Sequence, residues 1–317
     1  GERFDLVQAG GGNTSVKHRE WMFIKSSGIN MSNITPFNGY SVINNCSIMD
    51  DISSNNTKDI MSYNVIGKKR GSIETFMHSF LQKYTVHLHP IQTNRILISK
   101  DAIEVIRRLF PDALCIDYFT PGIILCNEIR QNYNNEKVIF LKNHGIIITS
   151  NDYDEIYVLL RTVIETCEKY ENINFDKYRV TNHISGYIFE NYHERVVSYL
   201  CHHHIIMEYL HNQPELFEQD ITFPDALIYC GCKMLFIRDG LDEMNAFFIS
   251  YNELPKIIVY NGYLYITSKT LTKCREIEDV LLSHLMISDT LYEKQYLSRE
   301  ETDYLTNWDA EKYRKNL

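Results

Sequence analysis

Residues 84–91 read YTVHLHPI, with Val86 and Leu88 alternating with His87 and His89. In an extended strand, residues two apart share a face. The run therefore reads as a strand with one aliphatic face for a core and one face carrying two imidazoles. Two convergent ring nitrogens are half of a transition-metal site. Two polar residues on an exposed strand face would leave the same pattern, so the rest of the chain has to decide.

Strands and helices alternate around this stretch. LVQAG (6–10) and WMFIKSS (21–27) read as strands around a turn, and IETFMHSFLQK (73–83) has helical spacing with Ser72 as its N-cap. Helices at about 100–109 and 122–134 flank a short strand, ALCID. KVIFLKNHGIIIT (137–149) gives two β-prone runs broken at Asn143-His144-Gly145, and Ser150 and Asp152 open a long helix to about 171. This alternation predicts an α/β layered domain. The weakly periodic ENINFDKYRVTNH (171–183) is the junction, so the expected domains are 1–175 and 176–317. In the second, 186–211 reads as helix, and KMLFI, AFFIS, KIIVY and YLYIT follow as β-prone runs. Asn261-Gly262 between the last two is a type I′ hairpin signal. Helices at about 269–290 and 299–314 complete the pattern.

The chain has 317 residues, 44% hydrophobic and 23% charged, a globular composition long enough for one large or two ordinary domains. A net charge of −9 argues against a duplex nucleic-acid binder. No apolar run reaches the length of a membrane span, and no stretch reads as a signal peptide. The eight cysteines lie mostly inside apolar runs, as buried thiols of a reducing compartment do; a cytoplasmic location is expected. Cys230-Gly231-Cys232 lacks a partner pair and reads as strand packing.

His144, at the bend between two β-prone runs, is a candidate third ligand. Three histidines with an open position would make a catalytic zinc arrangement, and imidazole also suits manganese, cobalt or iron. A loop histidine with satisfied hydrogen bonds is the plainer reading of His144 alone. Glu74 stands in the first turn of the helix before the strand, either as an acid/base group or as an acid answering the helix dipole. His78, four residues on, reads as a packing residue on the same face. GGGNTSVK (10–17) and IKSSG (24–28) offer backbone amides and hydroxyls that suit phosphate or carboxylate; either could be a plain turn, and neither fits a Walker loop or a dinucleotide fingerprint.

Taken in order, GGGNTS, SSG, S-x-E with a histidine four after the Glu, H-x-H and NHG resemble the class II aldolase/adducin family over about residues 5–170. The nearest likeness is to the aldolase half of bifunctional aldolase/short-chain dehydrogenase proteins, through VQAGGGNTSVK, SIETFMH, FPDA (223–226) and NWDAEKYR (307–314). The resemblance implies an α/β/α layered fold with a central, mainly antiparallel sheet, followed by a C-terminal α+β region of unassigned role. It puts the metal ligands on His87, His89 and His144, and the acid/base on Glu74. It puts phosphate contacts on Asn13, Ser27, Gly28 and Ser72. The implied cofactor is Zn2+ or another divalent metal such as Mn2+ or Co2+. The implied reaction is cleavage or formation of a C–C bond in a small sugar or sugar phosphate, through a metal-stabilised enediolate. An epimerase or dehydratase would use the same metal site, and an adducin-like interaction module would use the fold without chemistry. A homo-oligomer, tetramer or dimer, is expected, with a separate dehydrogenase as a further partner; no nucleic acid, membrane or nicotinamide is expected. Two departures stand out. Ile73 replaces the second serine that sugar-phosphate aldolases carry before the glutamate, and the Glu74-to-His87 spacing is short, which suggests a trimmed helix or loop. The run His202-His203-His204 reads as a polar helix flank, because consecutive helical residues diverge by about 100°. Pro224-Asp225 reads as a turn leading into a strand.

Overall fold

A computed structural model describes residues 2–66 and 69–307. The chain divides into two compact units, Arg3–Phe175 and the residues from Asp176 onward.

The first unit opens with an irregular segment, and its first strand is β1 (Asn13–His18). LVQAG is therefore not a strand, and the glycine-rich stretch expected to turn runs directly into one. β2 (Trp21–Lys25), β3 (Tyr40–Asn44), α1 (Asn45–Ser53) and β4 (Asn64–Ile66) follow. Next come α2 (Thr75–Phe80), β5 (Tyr84–Leu88), α3 (Ile91–Leu97), α4 (Ala102–Leu109), β6 (Leu114–Ile116) and α5 (Ile123–Asn132). β7 (Val138–Leu141), β8 (Gly145–Ser150) and α6 (Tyr153–Glu171) complete it. The eight strands form one sheet in the order β4-β3-β2-β1-β5-β8-β7-β6, antiparallel at every pairing except β6 with β7.

Alternate side chains of the central strands enter two separate cores. Ile139, Leu141 and Ile147 join residues of α1, α2 and α5 on one face. Phe140, Ile146 and Ile148 join residues of α3, α4 and α6 on the other. The sheet is therefore sandwiched between helical layers, which is why Ile146, Ile147 and Ile148 can be consecutive and all fully buried. Each such side chain contributes about 1.5–3 kcal/mol of burial. α6 has the caps its sequence promises: the Asp152 side chain accepts from Asp154 N–H, and Asn172 closes the helix in the left-handed conformation. α2 is only six residues long, in keeping with the short Glu74-to-His87 spacing; Glu74, not Ser72, is its N-cap residue.

The second unit contains α7 (Asp176–Tyr192), β9 (Val197–Leu200), α8 (His204–Asn212), α9 (Pro224–Cys230) and β10 (Leu235–Ile237). It continues with α10 (Glu243–Tyr251), β11 (Ile257–Tyr260), β12 (Tyr263–Ser268), α11 (Leu271–Ser288) and α12 (Arg299–Asn307). Its sheet runs β10-β11-β12-β9, and the hairpin at Asn261-Gly262 has both residues at positive φ, 52° and 77°. Several sequence readings are corrected. The helix expected over 186–211 is broken by β9, which pairs with β12. AFFIS is helical, burying Phe247 with Met244 one turn earlier; a short apolar run does not fix its own period. Pro224 begins a helix, and Cys230 ends it, with Gly231 at φ 87°. The NWDAEKYR stretch past Asn307, and the expected helix beyond it, lie outside the described residues. All eight cysteines are free. Among the described residues, no helix is long and apolar enough to cross a membrane.

Candidate metal centre

Both faces of β5 are covered: Leu88 is buried and Val86 half-buried against one core, as the alternation predicts, and Thr85 and His87 on the other face are fully buried too, so the imidazole face is not an exposed one. β5 pairs with β8 in the register Leu88↔Ile146, which brings His144, just before β8, level with the end of β5. Asn143 makes the bend in the left-handed conformation at φ 57°. A side chain at Gly145 would put its Cβ 2.3 Å from the Leu88 carbonyl oxygen and 2.9 Å from His89 Cδ2. The NHG sequence thus needs Asn for the bend and Gly for the close approach of two strands.

The result is a cluster. His87 Nε2 lies 3.0 Å from His89 Nε2 and 3.3 Å from His144 Nε2. Glu74 Oε1 lies 3.2 Å from His87 Nε2 and 3.4 Å from His144 Nε2. All four ligand atoms fall within 4.8 Å of one another, the one such group among the described residues that could hold a metal ion. Nitrogens bound tetrahedrally at zinc distances sit about 3.3–3.4 Å apart, so the spacing fits. The hydrogen bonding fits too. His87 Nδ1 donates to the Ile146 carbonyl at 2.9 Å, which leaves its Nε2 lone pair facing the cluster. His144 Nδ1 is buried and meets no hydrogen-bonding partner among the described residues.

The electrostatics point the same way. Burial pushes the Glu74 carboxyl up, but the His87 charge and hydrogen bonds from His144 and His87 outweigh it and hold the group well below the usual range. Burial, reinforced by His87 and His144, pushes the His89 imidazole down to about 4. Burial takes His78 down to about 3. The charge that ionises Glu74 lies on His87 when its Nε2 is protonated; a metal cation at Nε2 would supply that charge with the imidazole neutral.

The four candidate anion contacts fall into two groups. Asn13 is fully buried, sits in register opposite His87, accepts from Thr14 N–H through Oδ1, and has no partner for Nδ2 among the described residues. Ser27 and Gly28 are exposed on the turn after β2, and an isolated bridge from Ser26 to Gly71 ties that turn to the segment carrying Ser72. The Ser27 N–H already donates to the Arg70 carbonyl, and Ser72 Oγ accepts from Glu74 N–H. The side chains of the nearby Lys69 and Arg70 are held by Asn38 and Asp59.

Sequence reading missed three residues here. Lys25 is buried, its Nζ donating to the Gly10 and Ile29 carbonyls; burial pushes it down while Glu74 opposes. Ser15 and Lys17, on the same face of β1 as Asn13, are the other two. Their signal was the period-two spacing Asn13, Ser15, Lys17, hidden because β1 was not recognised as a strand.

The family model described as "Class II Aldolase and Adducin N-terminal domain" matches residues 2–170, just over half of the chain. The N-terminal class II aldolase domain of a conserved protein from Thermoplasma acidophilum is 24% identical over 52% of this chain and 85% of that one, with a TM-score of 0.48. An L-fuculose 1-phosphate aldolase is 18% identical over 56% of this chain and 86% of its own, with a TM-score of 0.40. A sugar-phosphate aldolase from Thermotoga maritima is 14% identical over 51% and 85%, with a TM-score of 0.38. No curated protein matches the chain.

Proposed function

The chain belongs to the class II aldolase and adducin family, and from that premise we propose that it is a metal-dependent lyase that cleaves or forms a C–C bond in a small sugar or sugar phosphate. The observation that carries this is the convergence of three imidazole nitrogens and one carboxylate oxygen within 4.8 Å at the end of β5. His87, His89 and His144 would hold the ion, with zinc the leading candidate and manganese or cobalt as substitutes. Such an ion supplies positive charge where an oxyanion develops during cleavage.

The residues of the chain do the rest. Glu74, ionised and next to the imidazoles, takes and returns the proton at the carbon that loses its partner. His87, locked by the Ile146 carbonyl, cannot rotate out of line. Asn13 Nδ2 is a buried donor beside the ligand set and would orient a substrate oxygen. Ser27, Gly28 and Ser72 form the outer grip, built from hydroxyls and backbone; with Ile73 in place of a serine, it favours a lightly charged substrate over a strongly held phosphate. Catalysis belongs to the first unit. The reading includes a cytoplasmic homo-oligomer, dimer or tetramer, whose aldehyde product a separate dehydrogenase could consume.

The test is an aldehyde-release assay on ketoses and their 1-phosphates with zinc-, manganese- or cobalt-loaded protein. Cleavage is expected, falling about 10²–10⁴-fold in Glu74→Gln with the metal retained. Loaded protein that cleaves none of them would refute the lyase reading. Epimer or dehydrated product without aldehyde would replace it with the alternative chemistry.

A further inference from the structure

We propose that the polar face of β1 is a rail that sets the position of α2, and through it the reach of the Glu74 carboxylate; Ser15 and Lys17 are its positioning residues. Side chains 13, 15 and 17 share one face of the strand. Asn13 stands opposite His87. Ser15 Oγ is hydrogen-bonded to His78 Nδ1 at 2.8 Å, with both side chains buried. Lys17 Nζ donates to the Leu81 and Gln82 carbonyls at 2.6 and 2.9 Å, capping the C-terminal end of α2. The strand that neighbours the imidazoles thus also grips the helix that begins at the carboxylate.

α2 needs such a grip. At six residues it is far too short to hold its own shape. At its N-terminal end Ser72 accepts from Glu74 N–H, Thr75 N–H and Thr75 Oγ1, the Ser26–Gly71 bridge holds the segment before it, and the Glu74 carboxylate meets His87 and His144. His78 joins the two ends of the device, since its backbone N–H donates to the Glu74 carbonyl while its ring meets Ser15. The other ring nitrogen, Nε2, is buried with no partner among the described residues. An aromatic hydrocarbon would fill that space without stranding a polar atom, so the histidine is accounted for by the bond to Ser15.

The inference rests on the reading of Glu74 as the acid beside the metal, and two measurements on the full chain separate the two claims. Hydrogen exchange of the 76–80 amides in metal-free protein reads the rail alone. Ser15→Ala and Lys17→Met should each exchange about tenfold faster there, and Ser15→Thr should restore the original rate. The visible spectrum of cobalt-loaded protein reads the carboxylate. In Ser15→Ala and His78→Phe it should move toward the spectrum of Glu74→Gln at unchanged cobalt stoichiometry. Unchanged exchange in both Ser15→Ala and Lys17→Met overturns the rail, whatever the metal does. An unmoved cobalt spectrum overturns its control of Glu74. Failure of the unsubstituted protein to bind cobalt, with exchange responding as expected, overturns the metal reading and upholds the rail. Should Ser15→Ala not fold, Lys17→Met carries both readouts from the outer end of the strand.

Discussion

Each unit has one close-set trio among its histidines, and only one trio converges. His87 and His89 lie at the end of β5 and His144 just before the adjacent β8, and their rings pack with centroids 4.8, 4.8 and 5.2 Å apart. His202, His203 and His204 are consecutive and lead into α8. Their rings part company: His202 leans on Tyr178 and Tyr199, while His203 and His204 stack at 5.4 Å. Density of histidine in the sequence therefore says little. A strand aims every second residue at one point and a neighbouring strand supplies the third, whereas consecutive residues at a helix entry scatter.

The sharpest way to break this comparison is to delete from each set. His87→Ala should weaken zinc or cobalt binding at least about a hundredfold in a chelator competition, whereas the triple alanine variant at 202–204 should stay within about threefold. Equal losses would dissolve the distinction.

Glycines give the next test. Gly145 is crowded, so Gly145→Ala should cost about 1–3 kcal/mol in denaturant unfolding and weaken metal binding with it. Gly262 has nothing within 4 Å of a would-be Cβ but sits at φ 77°, so Gly262→Ala should cost about 1 kcal/mol and leave the metal untouched.

Acid sharpens the contrast further. His284, fully buried against Phe223 in the second unit, is pushed down to about 4 by burial and Lys294. A histidine held below its unfolded value of about 6.5 gives stability that is present above that pH and lost as pH falls toward the folded value. His284→Leu should therefore recover about 2 kcal/mol of the loss between pH 7.5 and pH 5, read by unfolding at both values. Smallest is Asn143→Ala, expected to cost about 1 kcal/mol through its left-handed backbone, with Asn143→Gly close to neutral in the same measurement.

Much of the first unit was legible because its signals are local. The alternation in YTVHLHPI, the NHG bend and the capped helix after Ser150 each declare themselves within a dozen residues. What escaped depends on partners far along the chain. Asn13, Ser15 and Lys17 become a polar face only once β1 lies between β2 and β5. Burial of the imidazole face of β5 follows from the helical layers on both sides of the sheet, which the strand itself does not encode. In the second unit, β9 was hidden inside a helical reading because its pairing with β12 spans about seventy residues, and AFFIS was too short to show its period.

The most direct measurement is anomalous diffraction at the zinc edge from crystals grown with zinc. The expected result is one peak about 2.0–2.1 Å from the Nε2 atoms of His87, His89 and His144, within reach of Glu74. Density that is empty at this cluster while zinc binds elsewhere, at 202–204 for instance, would contradict the assignment of the metal centre.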